Sequence, residues 1–327
     1  MAREITVGTA ISTGPGRTTG YLRIGDAPDG SPLDSPVVIL QGESDGKVMW
    51  MHGCVHGHEF CGTYIIHETL RSIDPKTLKG TIVALPMLNI SASQHRQRMS
   101  PFEYYHGGDM NRNFPGDPNG TLTQQMAHVV YRELKANADI LIDFHTASTP
   151  DVRWALYPAV GGEVEATSAK LARAFGYRDT LPAKPPLLTG SAMMTAAKDG
   201  IAVYLVECGG KIGAFTHDAV LDGAERLRNA MRAVGILEGP VTDYGKMYNF
   251  STFAWITVAR GGLFQRAVKC GDRLEKGTVL GHFYDVYGNE LEPALSPQPG
   301  IVLAINPGPA TSSGDTLVHI GLDPVEV

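Results

Sequence analysis

The chain is expected to be an α/β protein in three layers, with helices on both faces of a mixed, largely parallel sheet. A small all-β, barrel-like domain should follow. Three observations predict this. Short apolar runs at 37–40, 47–51, 80–86, 139–145 and 201–207 are separated by segments with helical periodicity, as in sheets covered on both sides. Chemically capable residues stand just after or at the end of several of these runs, where α/β sheets place their ligands. After Gly239-Pro240 the composition becomes Gly- and Pro-rich, with short alternating runs at 254–258, 278–283 and 300–305, the pattern of a β module. The expected division is 1–240, including an N-terminal β region at 1–36, and 241–327.

In chain order, 1–36 carries β-prone pieces such as Ile5-Thr6-Val7 and Tyr21-Leu22-Arg23-Ile24 among turn formers, and predicts a leading hairpin or edge region. Strands follow at 37–40 and 47–51. A helix is expected from about His58 to Ser72, stopped by Asp74-Pro75. After the strand at 80–86 comes a polar stretch, 89–120, carrying Arg96, Arg98, Asn111 and Arg112; a loop this long in a compact domain is usually functional. Met126, Val129, Val130, Tyr131 and Leu134 mark a helix over 123–137. The strand at 139–145 ends in His145. Helices are expected at 164–175 and 191–199, a strand ending in Glu207 at 201–207, and a closing helix at 218–234.

The bulk properties exclude several classes. Of 327 residues, 43% are hydrophobic and 19% charged, which is ordinary for a globular chain. A formal net charge of −6 argues against nucleic acid or an acidic membrane surface as partner. No apolar run approaches the roughly 18–20 residues of a membrane span, and Met1-Ala2-Arg3-Glu4-Ile5 does not open a signal peptide. Four cysteines, Cys54, Cys61, Cys208 and Cys270, are too few for a disulfide framework. The expectation is a cytoplasmic protein with reduced, mostly buried thiols.

The stretch Gly53-Cys54-Val55-His56-Gly57-His58-Glu59 holds the densest chemistry. His56 and Glu59, three apart at a helix start, are expected on one side of its first turn. An imidazole and a carboxylate make two thirds of a His₂Glu zinc set with an open position for water. A lone H-x-x-E is also compatible with a helix-start carboxylate favoured by the macrodipole, and His52 and His58 are rival ligands. His145, preceded by Asp143, is either a ligand whose other nitrogen meets an acceptor or a hydrogen-bonded core histidine. Glu207 ends an apolar strand, so it serves a purpose or an ion pair, because an unpaired buried charge is costly. These three distant segments are expected to gather at one edge of the sheet.

Taken in order, Gly53 to Glu59, Arg98-Met99-Ser100-Pro101, Asp109-Met110-Asn111-Arg112-Asn113-Phe114-Pro115-Gly116, Asp143-Phe144-His145 and Val206-Glu207-Cys208-Gly209-Gly210 resemble the succinylglutamate desuccinylase/aspartoacylase family, within the zinc carboxypeptidase-like clan. The resemblance spans about 48–240. It implies one Zn²⁺ per chain held by His56, Glu59 and His145, with Glu207 as general base and acid on a metal-activated water. It further implies that Arg98, with Arg96 as its competitor, polarises the scissile carbonyl, and that Asn111 and Arg112 grip a substrate carboxylate. The implied activity is hydrolysis of the amide bond in a small N-acyl amino acid or related amide. A zinc carboxypeptidase acting on peptides and a non-catalytic binding module are the rivals. Residues 268–281 resemble the lipoyl-like fragment of bacterial members, without a lysine hairpin that would carry biotin or lipoate. A homodimer is expected only by analogy.

Overall fold

The computed structural model describes residues 4–104, 107–147, 150–306 and 308–327. Strands β1 (Ile5–Val7) and β2 (Ala10–Ser12) form the expected leading hairpin, which buries Ile5, Val7 and Ala10 against the main sheet. The long β3 (Gly16–Asp26) pairs antiparallel with β4 (Pro32–Gln41) and closes one edge of that sheet. At its centre, β5 (Ser44–His52) lies parallel to β6 (Lys79–Leu85) and to β7 (Ile140–His145), and β7 lies parallel to β10 (Ala202–Gly209). Two strands escape the sequence reading. β8 (Val152–Pro158) runs antiparallel to β10, and β9 (Asp179–Ala183) parallel to β8. In β8 the apolar run is interrupted by Arg153, and β9 has five residues with Asp179 and Thr180 at its start and a proline inside, so neither gives a clean apolar run.

The central strands are buried on both faces, and their side chains alternate between two cores. Trp50, Leu141, Val203 and Leu205 face one core, which is covered by α3 (Leu122–Asn137) and α5 (Ala192–Lys198). Met49, Met51, Ile140, Ile142, Tyr204 and Val206 face the other, beneath α1 (Cys61–Ser72), α4 (Gly162–Phe175) and α6 (His217–Ala233). Helices on both sides of a mixed sheet are the expected layers. Local signals fix the helix ends. Thr121 and Gln124 form a reciprocal capping box on α3, and Ser191 and Thr216 cap α5 and α6. Gly176 takes the left-handed conformation that ends α4.

Beyond residue 240, the strands are β11 (Tyr248–Asn249), β12 (Thr252–Thr257), β13 (Gly262–Arg266), β14 (Arg273–Leu274), β15 (Val279–Tyr284), β16 (Glu290–Leu295), β17 (Gly300–Ile305), β18 (Ala310–Thr311), β19 (Thr316–Leu322) and β20 (Val325–Glu326). Eight of them build two four-stranded antiparallel sheets around a core of their own. The other two, β11 and β20, complete the ten-stranded main sheet beside β9. The β module is seated on the main sheet through Trp154, whose ring lies 5.9 Å from Phe250 and 5.5 Å from His319. No helix among the described residues is long and apolar enough to cross a membrane.

Helix α1 reaches the sheet at Gly62, where an added Cβ would lie 2.2 Å from Phe144 Cβ. Gly62→Ala should therefore cost about 1–3 kcal/mol through overpacking, measured by chemical denaturation; unchanged stability would show that this contact yields freely.

Candidate metal centre and catalytic site

Strand alternation selects the face that carries the chemistry. His52 follows Trp50 by two residues, Asp143 and His145 follow Leu141, and Glu207 follows Leu205, so all four project to the α3/α5 side. Register then sets their neighbours: His52 stands opposite Asp143, and His145 opposite Glu207. The three parallel strands end in the same direction, so these groups meet at one edge of the sheet.

His56 and Glu59 reach this edge by a different route from the expected one. Helix α1 begins at Cys61, so neither residue is on its first turn. Both belong to a buried loop bolted to the end of β6 and to the segment after it, which carries the short α2 (Ile90–Gln94). Gly53 N–H donates to Leu85 O (3.2 Å), Asn89 N–H to Cys54 O (3.0 Å) and Gly57 N–H to Arg98 O (3.4 Å). A Cβ on Gly57 would lie 2.0 Å from the Ala92 carbonyl carbon, so only glycine allows this approach. Within the loop Glu59 N–H donates to His56 O at 3.1 Å, and that turn, in place of helical spacing, brings the two side chains together.

The donors converge tightly. Glu59 places one carboxylate oxygen 3.0 Å from His56 Nδ1 and the other 2.9 Å from His145 Nδ1, and the second also accepts from Thr146 N–H at 3.1 Å. The two Nδ1 atoms are 3.2 Å apart. Behind each ring stands another carboxylate: Asp109 is 3.0 Å from His56 Nε2, and Asp143 is 2.9 Å from His145 Nε2. A carboxylate at Nε2 keeps the proton there and leaves the Nδ1 lone pair for a ligand bond. Two lone pairs 3.2 Å apart repel unless positive charge lies between them. Donor atoms of His56, Glu59 and His145 all fall within 4.8 Å of one another, so this group could hold a metal ion. His52 does not join it; its Nε2 bonds Asp143 at 2.8 Å with both side chains fully buried, which steadies Asp143 from behind.

The electrostatics agree with a pocket built for a cation. Burial alone would raise the Glu59 pKa, yet His56 and His145 hold it well below the usual carboxylate range. Burial works against charge on His145, but Asp143 and Glu59 lift its pKa well above an ordinary imidazole. Glu207 goes the other way: burial and the neighbouring Glu59 charge push it up to about 7. Its Oε2 is buried and has no hydrogen-bond partner. His58, the other rival ligand, is pushed down to about 4 by burial.

The two loop arginines part company. Arg98 Nη2 donates to Asp109 at 2.9 Å and Arg98 Nη1 lies 3.7 Å from Glu59, whereas Arg96 is exposed beside Glu68 and Tyr64. Asn111 is buried; its Oδ1 accepts from Ala192 N–H at 2.9 Å and its Nδ2 is 3.2 Å from His145 Nε2. The adjoining Arg112 is exposed, with Nη1 donating to Asn111 O at 2.7 Å. Sequence reasoning missed Asp109 and Lys211. Asp109, two residues before Asn111, backs His56 and neutralises Arg98. Lys211 follows Glu207 by four residues and lies in the field of Glu59, Glu207 and Arg98. Proximity in sequence to Asn111 and Glu207 was the available signal for both. All four cysteines are free thiols, three of them buried.

Comparison with known proteins places the chain among hydrolases of carbon–nitrogen amide bonds other than peptide bonds. The chain belongs to the succinylglutamate desuccinylase/aspartoacylase family, whose catalytic-domain model matches residues 45–234. It is 25% identical over 315 residues to the N-alpha-acetyl-L-2,4-diaminobutyric acid deacetylase of Halomonas elongata, covering 92% of this chain and 90% of that one. Among solved structures it resembles a succinylglutamate desuccinylase/aspartoacylase from Rhodobacter sphaeroides, with TM-score 0.82, 25% identity and coverage of 95% and 96% of the two chains. The fold is also that of the product-bound ectoine utilization protein EutE (DoeB) from Ruegeria pomeroyi, with TM-score 0.83, 22% identity and the same coverages.

Because Asp143 links His52 to His145, Asp143→Asn should loosen the His145 ring and cut affinity for a divalent cation about 10–100-fold. Competition against a chelator measures this; unaltered affinity would make the carboxylate dispensable.

Proposed function

We propose that this chain is a zinc-dependent deacylase that hydrolyses the amide bond of a small N-acyl amino acid or closely related amide. One observation carries the reading: a buried carboxylate is clasped by the Nδ1 atoms of two imidazoles, and an unpartnered glutamate stands on the next strand. His56, Glu59 and His145 would hold the ion, and a set of two imidazoles and one carboxylate suits zinc. When bound, zinc supplies Lewis acidity, making water easier to deprotonate and polarising a carbonyl.

The remaining work falls to this chain's own side chains. Glu207, with a pKa near neutrality, is poised both to accept a proton from the attacking water and to return one to the leaving amine. Its free Oε2 is the atom available for that transfer. Arg98, held by Asp109, presents a guanidinium beside Glu59 where an oxyanion would form. Arg112, exposed next to Asn111 on the same turn, is available for a substrate carboxylate. Residues 1–240 act as the catalytic unit and 241–327 as a β domain over the side of the site nearest Trp154, which neighbours Glu207 across β8 and β10. The deacetylase relative supports an acylated amino acid as the substrate class.

The test is metal analysis together with a hydrolysis panel of short N-acyl amino acids and peptides. Zinc near one per chain and turnover of the acyl amino acids are expected; peptide turnover alone would favour a carboxypeptidase. Glu207→Gln should keep its zinc and lose roughly 10²–10⁴-fold in kcat, and equal activity would remove Glu207 from the chemistry. His145→Ala should lower zinc stoichiometry, and full occupancy would contradict its place as a ligand.

A further inference from the structure

The turn after β10 is held against the metal loop with unusual care. Gly209 has φ +72° and would place a Cβ 2.7 Å from Cys61 Sγ, and one on Gly210 would lie 2.2 Å from Ala214 O. Ile212, a β-branched residue, is held at φ +54°, a strained conformation for such a side chain. Its N–H donates to His58 O at 2.8 Å, one residue from Glu59. The residue this turn delivers is Lys211, which is half-buried.

Its ammonium feels the charge of two carboxylates, Glu59 and Glu207, yet no acid among the described residues bonds it. That separates it from Arg98, whose charge is taken up by Asp109. A partly desolvated ammonium to which no acid is bonded is costly to keep, and strained backbone concentrates at binding sites. Arg112 enters from the loop before α3, and Lys211 from the turn after β10. Two cations on separate elements thus adjoin residues of the site, Arg112 beside Asn111 and Lys211 after Glu207, and no acid among the described residues bonds either.

We propose that Lys211 is a specificity residue that binds a carboxylate of the substrate, on a separate element from Arg112. A compact ammonium serves as a point charge for such a group. This rests on the deacylase reading but is tested by binding as well as turnover.

The probes are two matched pairs. One is an N-acetyl amino acid and its C-terminal carboxamide; the other is an N-succinyl amino acid and its succinamoyl analogue. Binding is measured by calorimetry on zinc-loaded Glu207→Gln protein, with and without Lys211→Met or Lys211→Arg. The parent background should prefer the carboxylate member of at least one pair by on the order of tenfold to a hundredfold, the range of a hydrogen bond to a charged group. Lys211→Met should erase that preference with its zinc content intact, and Lys211→Arg should keep most of it. The pair that responds identifies whether the acyl or the amine side carries the group. A preference that survives Lys211→Met, or none in the parent background, overturns the proposal. A parent preference that Lys211→Met erases, without turnover of any acyl amino acid by the native enzyme, would instead sink the deacylase reading and leave Lys211 in place as an anion site.

Discussion

A buried glutamate shared by two imidazoles governs the rest of this molecule. Glu59 is nearly excluded from water and bonds both His56 and His145. Each imidazole in turn leans on an aspartate, and each aspartate on a further group: Asp109 on Arg98, Asp143 on His52. The result is a chain in which carboxylates alternate with imidazole or guanidinium groups, running through the protein interior. Each member is costly alone and tolerable only beside its neighbours. Such a chain demands that five separate segments arrive in register, which is the task performed by the sheet edge, the glycine loop and the arginine loop.

The sheet portion of this arrangement was legible because strand alternation is a strong local signal. Apolar runs ending in His145 and Glu207 located two of the participants, and their parallel register follows from the layered fold. The segment order that marked the family did the rest, since no single motif separates a ligand from a core histidine. The loop portion was not legible. Spacing suggested that His56 and Glu59 share a helical turn, but the helix begins later, at Cys61. What brings the pair together is a turn stabilised by contacts with residues some thirty to forty positions downstream, beyond the reach of any periodicity. Strands β8 and β9 were hidden for a related reason. They gain stability from neighbours in the sheet, while their own sequences are interrupted by Arg153 in one and by Asp179, Thr180 and Pro182 in the other.

Charge balance in the site was also beyond a linear reading. An arginine in a polar loop carries no mark of whether an acid will meet it. Arg98 proves to be matched by Asp109, while Arg96, two residues earlier, turns to the outer surface. Lys211 shows the converse, a residue in an unremarkable Gly-Gly-Lys turn that the tertiary fold carries into the field of two carboxylates. Deciding which charges are paired required distances, because burial sets the cost of leaving one unmatched.

The separation of the central sheet into two cores bears on how sequences of this kind can drift. The polar groups that the central strands bring to the site, His52, Asp143, His145 and Glu207, project to the α3/α5 side, while the side beneath α1, α4 and α6 is filled with apolar packing. Neighbouring positions on one strand, such as Phe144 and His145, thus meet different physical demands: one answers to volume, the other to chemistry. Lineages can exchange the packing residues in compensating sets and keep the same reaction. They can also reshape the loops on the reactive side to change what is cleaved, with little disturbance to the frame.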